Sequence, residues 1–337
     1  MLLILESTCD ETAAALVDEH LQVRGSVIAA QDELHQRYGG VVPEIASRAH
    51  VERILPVIDE TLRRAGATLA DVTAVAVANS PGLAGSLLVG LAAAKALCVA
   101  LEVPLVAVNH LHGHVYACRL AAGVDVFPCV GFVVSGGHST LFDCPSPLEY
   151  RTLGGTIDDA AGEAFDKVAA LLKLAYPGGP AIEKAARGGN AAAYRFPRTF
   201  IHDEGRLEFS FSGLKTAVRY AIAPQGTDPA TVDVPPAKLA DLAASFQEAV
   251  VDVLVAKSIA ALDRAGRTTL CVGGGVAANS RFRERLQAAA DRRGARLFIA
   301  PRELCTDNAV MGAIAWERLR AGLVEDLNLD IVAGLQR

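Results

Sequence analysis

The sequence has no C-x-x-C pair, although seven cysteines are present: Cys9, Cys98, Cys118, Cys129, Cys144, Cys271 and Cys305. An odd number at such spacings argues against a disulfide framework and fits small buried apolar residues in a reducing cytosol. Nor is there a surplus of positive charge: 32 Lys and Arg stand against 38 Asp and Glu, for a net charge of −6. A protein that grips nucleic acid unaided usually carries a basic excess, so a nucleic-acid partner would need a local basic face or a helper protein. The opening "MLLILE" lacks the basic segment of a secretory signal. The most apolar stretch, Ser86–Val108, is broken by Lys95, Glu102 and Pro104, whereas a membrane span needs roughly 20 mostly apolar residues. A cytoplasmic protein without membrane attachment is therefore expected. Two catalytic signatures are missing as well: neither a G-x-x-x-x-G-K-[ST] phosphate loop nor an H-E-x-x-H zinc-protease motif occurs.

What is present is a globular composition, 51% hydrophobic and 21% charged over 337 residues, with 30 glycines. That length suggests two domains. "LLIL" and "AAALV" flank the polar turn "ESTCDET" as a β-hairpin. Residues 43–65 have helical periodicity and stop at Gly66, with Pro56 expected to kink or divide the helix. A buried strand, "VTAVAVANS", leads to a long apolar helix, and a further strand, "VPLVAVN", delivers a histidine cluster. The pattern restarts at "FPCVGFVVSGGHSTLFDC", again strand, polar turn, strand. A long helix, "TTLCVGGG" as a strand, a helix, "ARLFIA" as a strand and a helix from about Asp307 to Ala321 follow. The alternation predicts an α/β fold with weakly duplicated halves and a ligand at loops beyond strand ends.

Three turns are built to approach an anion: "ESTCDET", "VVSGGHST" and "VGGGVAANS". Glycine lets backbone N–H groups come close to oxygen atoms, and a following helix N-terminus adds partial positive charge. Their order resembles the actin-like/Hsp70/sugar-kinase (ASKHA) ATPase superfamily. "NHLHGHV" places His110 and His114 four residues apart, on one face of a helix. The position after His110 is Leu111, not the glutamate a zinc protease needs as its base. A histidine pair needs a third ligand, and Asp307 in "CTDNAVM" is a candidate; an N-cap role for Asp307 is the structural alternative. Spacing alone leaves both open.

Long blocks then become recognisable in order: "ILESTCDETAAALVDE", "GGVVPEIASRAHVERILPVIDETL", "HLHGHVYA", "VSGGHSTL", "LGGTIDDAAGEAFDKVAALLKLAYPGGP", "FSFSGLKTAV", "GGGVAANSRFRERL" and "CTDNAVMGA". From Leu2 to about Gly322 the chain closely resembles the bacterial tRNA N6-adenosine threonylcarbamoyltransferase family (TsaD, Gcp or YgjD), once labelled an O-sialoglycoprotein endopeptidase. The resemblance implies an α/β ASKHA fold of two lobes with duplicated RNase H-like cores and a nucleotide cleft between them. Residues 1–120 with about 305–325 would make the first lobe, and 125–304 the second. It implies transfer of threonylcarbamoyl from threonylcarbamoyl-AMP to N6 of the adenosine next to the anticodon, in tRNAs reading codons that begin with A. His110, His114 and Asp307 would hold one Fe2+ or Zn2+ per subunit. Val133, Val134, Ser135, Gly136 and Gly137 would form the substrate loop. Asp166, Gly179, Glu183 and Asn279 would make further substrate contacts, with Glu183 standing where many relatives have Asp. Implied partners are tRNA, a TsaB-like paralogue and a TsaE-like ATPase, with the donor supplied by TsaC.

In this fold Asp10 and Glu11 are candidates to accept the amine proton or to help with nucleotide hydrolysis; the alternative is a pair of solvated turn carboxylates. Lys215 is a candidate near the tRNA path, whereas the arginines of "RFRERL" read as a solvated helix face. Two positions depart from the family. His112 replaces a glutamate and could compete for metal, and Ser80 replaces a glycine, with slight loop strain expected. Three other readings compete. An ASKHA small-molecule kinase or ATPase would use Mg2+, which prefers oxygen ligands; a TsaB-like scaffold would bind neither metal nor donor; a metalloprotease would cleave peptides.

Overall fold

The computed structural model describes residues 1–203 and 205–334. It divides into one unit of Met1–Asp125 with Thr306–Arg337 and a second of Val126–Cys305. In the first unit, β1 (Leu2–Glu6), β2 (Glu11–Val17) and β3 (Val23–Ala30) form an antiparallel meander. After helices α1 (Asp32–His35) and α2 (Pro43–Ala65), β4 (Ala74–Ser80) joins β1 in parallel. Helix α3 (Ala84–Leu101) then leads to β5 (Leu105–Asn109), parallel to β4, and to α4 (His110–Ala122). The sheet order is β3-β2-β1-β4-β5.

Strand parity assigns the two faces of this sheet. Leu3, Leu5, Ala14 and Leu16 point into a core with Ile54, Val57, Ile58 and Leu62 of α2 and Leu91 and Ala94 of α3. Because side chains alternate along a strand, Ile4 and Glu6 of β1 and Glu11 of β2 face the other way, while Thr12 faces α2. On that opposite side lie α4 and a 3-10 segment, Ala309–Ile314, to which the chain returns after the second unit. Ile4 and Gly312 touch there so closely that a Cβ on Gly312 would lie 2.5 Å from the Ile4 Cγ2.

Three sequence expectations change. α2 runs unbroken through Pro56, because Pro56 and Glu52 are exposed and the Glu52 carbonyl that loses its partner faces water. The closing helix spans only Ala315–Arg320, preceded by the tighter 3-10 segment. Ser80 ends β4 in extended backbone paired with Asn109 and is not among the residues of positive φ, so the expected strain does not arise. α3 is the one described helix long and apolar enough to cross a membrane, and in this fold it packs on α2 and β4.

The second unit repeats the topology. β6 (Cys129–Val134), β7 (Ser139–Ser146) and β8 (Glu149–Gly155) form the meander, followed by α5 (Ala161–Leu171), α6 (Gly178–Ala185), α7 (Ser212–Ile222) and α8 (Pro236–Ala265). β9 (Thr269–Gly273) and β10 (Arg296–Ile299), with α9 (Ser280–Arg293) between them, add in parallel to give β10-β9-β6-β7-β8. Phe132 stacks on Phe209 at 5.4 Å and meets Phe282 edge-on, which fills the core beneath the β6–β7 turn. Both units thus carry a hairpin turn at the end of their first strand.

Candidate functional site

In the first unit, β5 ends at Asn109, whose side-chain oxygen accepts from the N–H groups of Leu111 and His112 and starts α4 at His110. Four residues on, His114 comes round to the same face, and the rings meet edge-on with centroids 4.7 Å apart. Asp307 arrives from the far end of the chain. Its Oδ1 lies 3.5 Å from His110 Nε2 and 3.2 Å from His114 Nε2. The capping alternative falls to its neighbour: the Asn308 side chain accepts from Met311 N and caps the 3-10 segment, leaving the Asp307 carboxylate to face the imidazoles.

The three ligand atoms all lie within 4.8 Å of one another. Ligand atoms bound tetrahedrally at about 2.1 Å are separated by about 3.4 Å, so the two histidine–aspartate distances fit a first-row metal. The proton arrangement agrees. His110 Nδ1 lies 3.1 Å from Glu6 Oε2 and 3.1 Å from Thr8 Oγ1, and Glu6 also accepts from Thr8 N at 2.7 Å. A carboxylate only accepts, so Nδ1 carries its hydrogen, and Nε2 of the neutral ring then presents a lone pair toward a carboxylate oxygen. With no ion bound, a proton gained by His110 lets Nε2 donate to Asp307 Oδ1; a bound cation would take that proton's place. Burial works against a charged His110, yet the Asp307 and Glu6 carboxylates outweigh it and push its pKa up to about 9. His114 is fully buried and shifts the other way, because burial prevails.

Glu6 went unnoticed in the sequence because it looks like the end of an apolar strand; only strand parity shows that it faces α4. It is 3% exposed. A carboxylate on the far nitrogen of a metal-binding histidine fixes its tautomer and raises its basicity. Glu6→Gln is therefore expected to weaken metal affinity by about 10–100-fold, measured by competition with a chelator, with the fold retained.

His112 sits about 200° round the helix from His110 and His114, so it turns away from the face that they share. Burial and then the Arg318 guanidinium push its pKa down to about 4. Asp10 is buried, and it contributes, with Asp307, to raising the Glu11 carboxyl well above the usual range, although burial is the first cause.

The Ser-Gly-Gly turn of the second unit is held from below by the start of α5. Gly162 N donates to Ser135 O and Glu163 N to Gly136 O, each at 3.1 Å, while Ala161 N donates to Ser139 Oγ at 3.0 Å. In a trans peptide the C=O and N–H point in opposite directions. The N–H groups of Gly136 and Gly137 therefore point away from α5, and both glycines are exposed, with open space around a Cβ built on either. Gly274, at φ +95°, crosses so close above β6 that a Cβ would lie 2.5 Å from Val134 O. Val133 and Val134 are buried in β6, and Ser135, the residue after its end, is buried as well.

The remaining predicted contacts have partners in the second unit. Asp166 Oδ1 accepts from Gly178 N at 2.7 Å, and Gly178 is the tightly packed glycine, whereas Gly179 is open. Asn279 caps α9 by accepting from Phe282 N and donates to Gln247 Oε1 at 2.9 Å. Glu183 reaches the same helix start, accepting from Ser280 N at 3.3 Å. The arginines of "RFRERL" are braces rather than a solvated face: Arg281 and Arg285 bind Glu248, Arg285 also binds Asp252, and Arg283 binds the carbonyls of Ala277 and Ala300. Lys215, in the first turns of α7, is half-buried.

The family model described as "TsaD: tRNA N6-adenosine threonylcarbamoyltransferase" matches residues 22–314. A tRNA N6-adenosine threonylcarbamoyltransferase from Rhodopirellula baltica is 56% identical, covering 100% of this chain and 97% of its own. Among solved structures, full-length HypF in the phosphate- and nucleotide-bound form aligns at TM-score 0.61 and 14% identity, over 96% of this chain and 47% of HypF. The activator of the 2-hydroxyisocaproyl-CoA dehydratase from Clostridium difficile, with bound ADPNP, aligns at TM-score 0.55 and 10% identity, over 99% of each chain. The last two likenesses establish the actin-like fold class alone.

Proposed function

This chain belongs to the tRNA N6-adenosine threonylcarbamoyltransferase family, and from that premise we propose how its residues divide the work of the transfer. The enzyme moves the threonylcarbamoyl group from threonylcarbamoyl-AMP to N6 of the adenosine adjacent to the anticodon in tRNAs reading codons that begin with A, releasing AMP. In bond terms, the N6 amine adds to the carbamoyl carbon, the carbon–oxygen bond to phosphate breaks, and AMP leaves with the electron pair. One amine proton must be taken up.

His110, His114 and Asp307 would hold the metal on which the family depends, and two imidazoles with one carboxylate suit Fe2+ or Zn2+. When bound, such a cation supplies charge neutralisation to donor oxygens. The Gly136 and Gly137 amides, with Val133, Val134 and Ser135 fixing their backbone, would bind the donor's anionic or carbonyl oxygens, and preorganised dipoles of this kind cost no reorganisation during reaction. Asp166, through its grip on Gly178, would shape the backbone beside Gly179. Glu183 and Asn279 would set the α9 start against the nucleotide. Asp10 or Glu11, in the first hairpin turn, would take up the amine proton.

tRNA is the acceptor. TsaB-like and TsaE-like partners are supported by the acidic net charge and by apolar side chains left exposed on α2 and α3, among them Val51, Leu55, Leu88 and Val99. Donor supply by a TsaC enzyme and a cytoplasmic location complete the reading. A small-molecule kinase is not favoured, since its Mg2+ prefers oxygen ligands. The convergence of two Nε2 atoms on one carboxylate oxygen carries the argument.

The test is incubation of the purified protein with threonylcarbamoyl-AMP, partner proteins and unmodified tRNA, followed by nucleoside mass analysis. Modified adenosine and AMP in equal amounts are expected. ATP turnover with no modified nucleoside would overturn the proposal.

A further inference from the structure

The first-unit hairpin turn is anchored by a residue that the transfer mechanism above does not use. His50, on α2, is fully buried and has both ring nitrogens engaged. Its Nε2 lies 3.0 Å from Cys9 O and its Nδ1 2.7 Å from Thr12 Oγ1. A carbonyl only accepts, so Nε2 carries the hydrogen; in the neutral ring Nδ1 is then the acceptor, and the Thr12 hydroxyl donates to it. Burial lowers the proton affinity of His50 and keeps this single tautomer.

The Cys9 carbonyl takes a second hydrogen bond, from Ser86 Oγ at 3.2 Å. Both lone pairs are thus engaged from the α2–α3 side, and the Asp10 N–H of the same planar peptide must point the other way. Strand parity adds the same sense downstream: Thr12 is drawn toward α2, so Glu11 faces the side of Asp307. The flanking residues are restrained as well. Leu83 N donates to Thr8 O at 2.8 Å, and a Cβ on Gly82 would lie 2.6 Å from that oxygen. The second unit achieves this with backbone, through the α5 amides under Ser135 and Gly136; the first unit uses an imidazole.

We propose that His50 is a positioning residue for the transfer reaction: by holding the Cys9–Asp10 peptide plane it sets the direction in which Asp10 and Glu11 are presented. This rests on the proposed catalytic role of those carboxylates. Misplacing a reacting group by about 1 Å can cost about 100-fold in rate, so an effect on the bond-making step is expected rather than on metal or donor binding.

Glutamine and asparagine separate the two hydrogen bonds, since a glutamine amide nitrogen reaches the place of Nε2 whereas an asparagine amide reaches only that of Nδ1. In single-turnover transfer at saturating donor, with partners and unmodified tRNA, His50→Gln is expected within about threefold of wild type. His50→Asn and His50→Leu should lose about tenfold or more. Metal content and donor affinity should not change in any of the three. In the Asp10→Ala background the His50→Leu loss should largely vanish, because coupled residues are not additive. The inference is overturned if His50→Gln does no better than His50→Asn, if rates fall only in step with the folded fraction or the metal content, or if the two losses simply add. If Asp10→Ala and Glu11→Ala both leave the rate unchanged, the carboxylate reading fails first and takes this inference with it; additivity with an active-site loss in Asp10→Ala overturns His50 alone.

Discussion

Asp307→Asn is expected to strip the protein of its metal and to lower threonylcarbamoyl transfer by more than about 100-fold, the upper end of what losing a supporting carboxylate costs. The substitution keeps the shape of the side chain and removes only its charge. It leaves the Asn308 cap intact, so the 3-10 segment that packs on β1 should persist. Without the Asp307 charge, two neutral imidazoles remain, and His110 also loses the first-named influence that raises its pKa. Elemental analysis after dialysis, paired with single-turnover transfer, reads both effects. Retained metal with retained rate would mean that the three side chains converge for another reason. Partial recovery in excess metal is expected, since both histidines remain.

Gly162→Ala should fail in a different way. A Cβ at Gly162 would lie 2.6 Å from Ser135 O, 2.7 Å from Gly136 Cα and 2.8 Å from Gly136 N. All three are backbone atoms of the turn that α5 supports, and no flexible side chain can give way. The turn must shift, tilting the amides of Gly136 and Gly137. Overpacking of this kind costs about 1–3 kcal/mol, which a thermal melt would register as a modest fall in Tm. The larger effect is expected on the donor: at least about a tenfold rise in its KM, as the loss of one or two preorganised hydrogen bonds would give, with metal content unchanged. Gly137→Ala is the comparison, since its Cβ would enter open space and leave the fold unstrained. A wild-type donor KM in Gly162→Ala would remove this loop from the binding proposal.

Much of this arrangement is legible in sequence wherever the determinant is local. The i, i+4 histidines follow from helical period, the two hairpin turns from strand–turn–strand chemistry, and the Gly-rich turn from its glycines. Reading fails where a long-range partner decides. Whether Asp307 caps a helix or faces the two imidazoles depends on Asn308 taking the cap, which the sequence "DN" leaves ambiguous. Glu6 and His50 look like a strand end and a helix residue until the sheet brings β1 beside α4 and β2 beside α2. Pro56 reads as a break because sequence does not reveal that the orphaned carbonyl faces water. The arginines of α9 look solvated because Glu248 and Asp252 sit a helix away.

Asp307 follows His114 by 193 residues, and nearly all of the intervening chain builds the second unit. During synthesis the two imidazoles therefore leave the ribosome long before the carboxylate that completes their set. An emerging chain can offer an incoming ion only a weak, two-point hold. Firm loading would wait until translation had passed the whole second unit, so a prematurely terminated product would be poor at holding the ion, and metal retention would report that synthesis had run past Asp307.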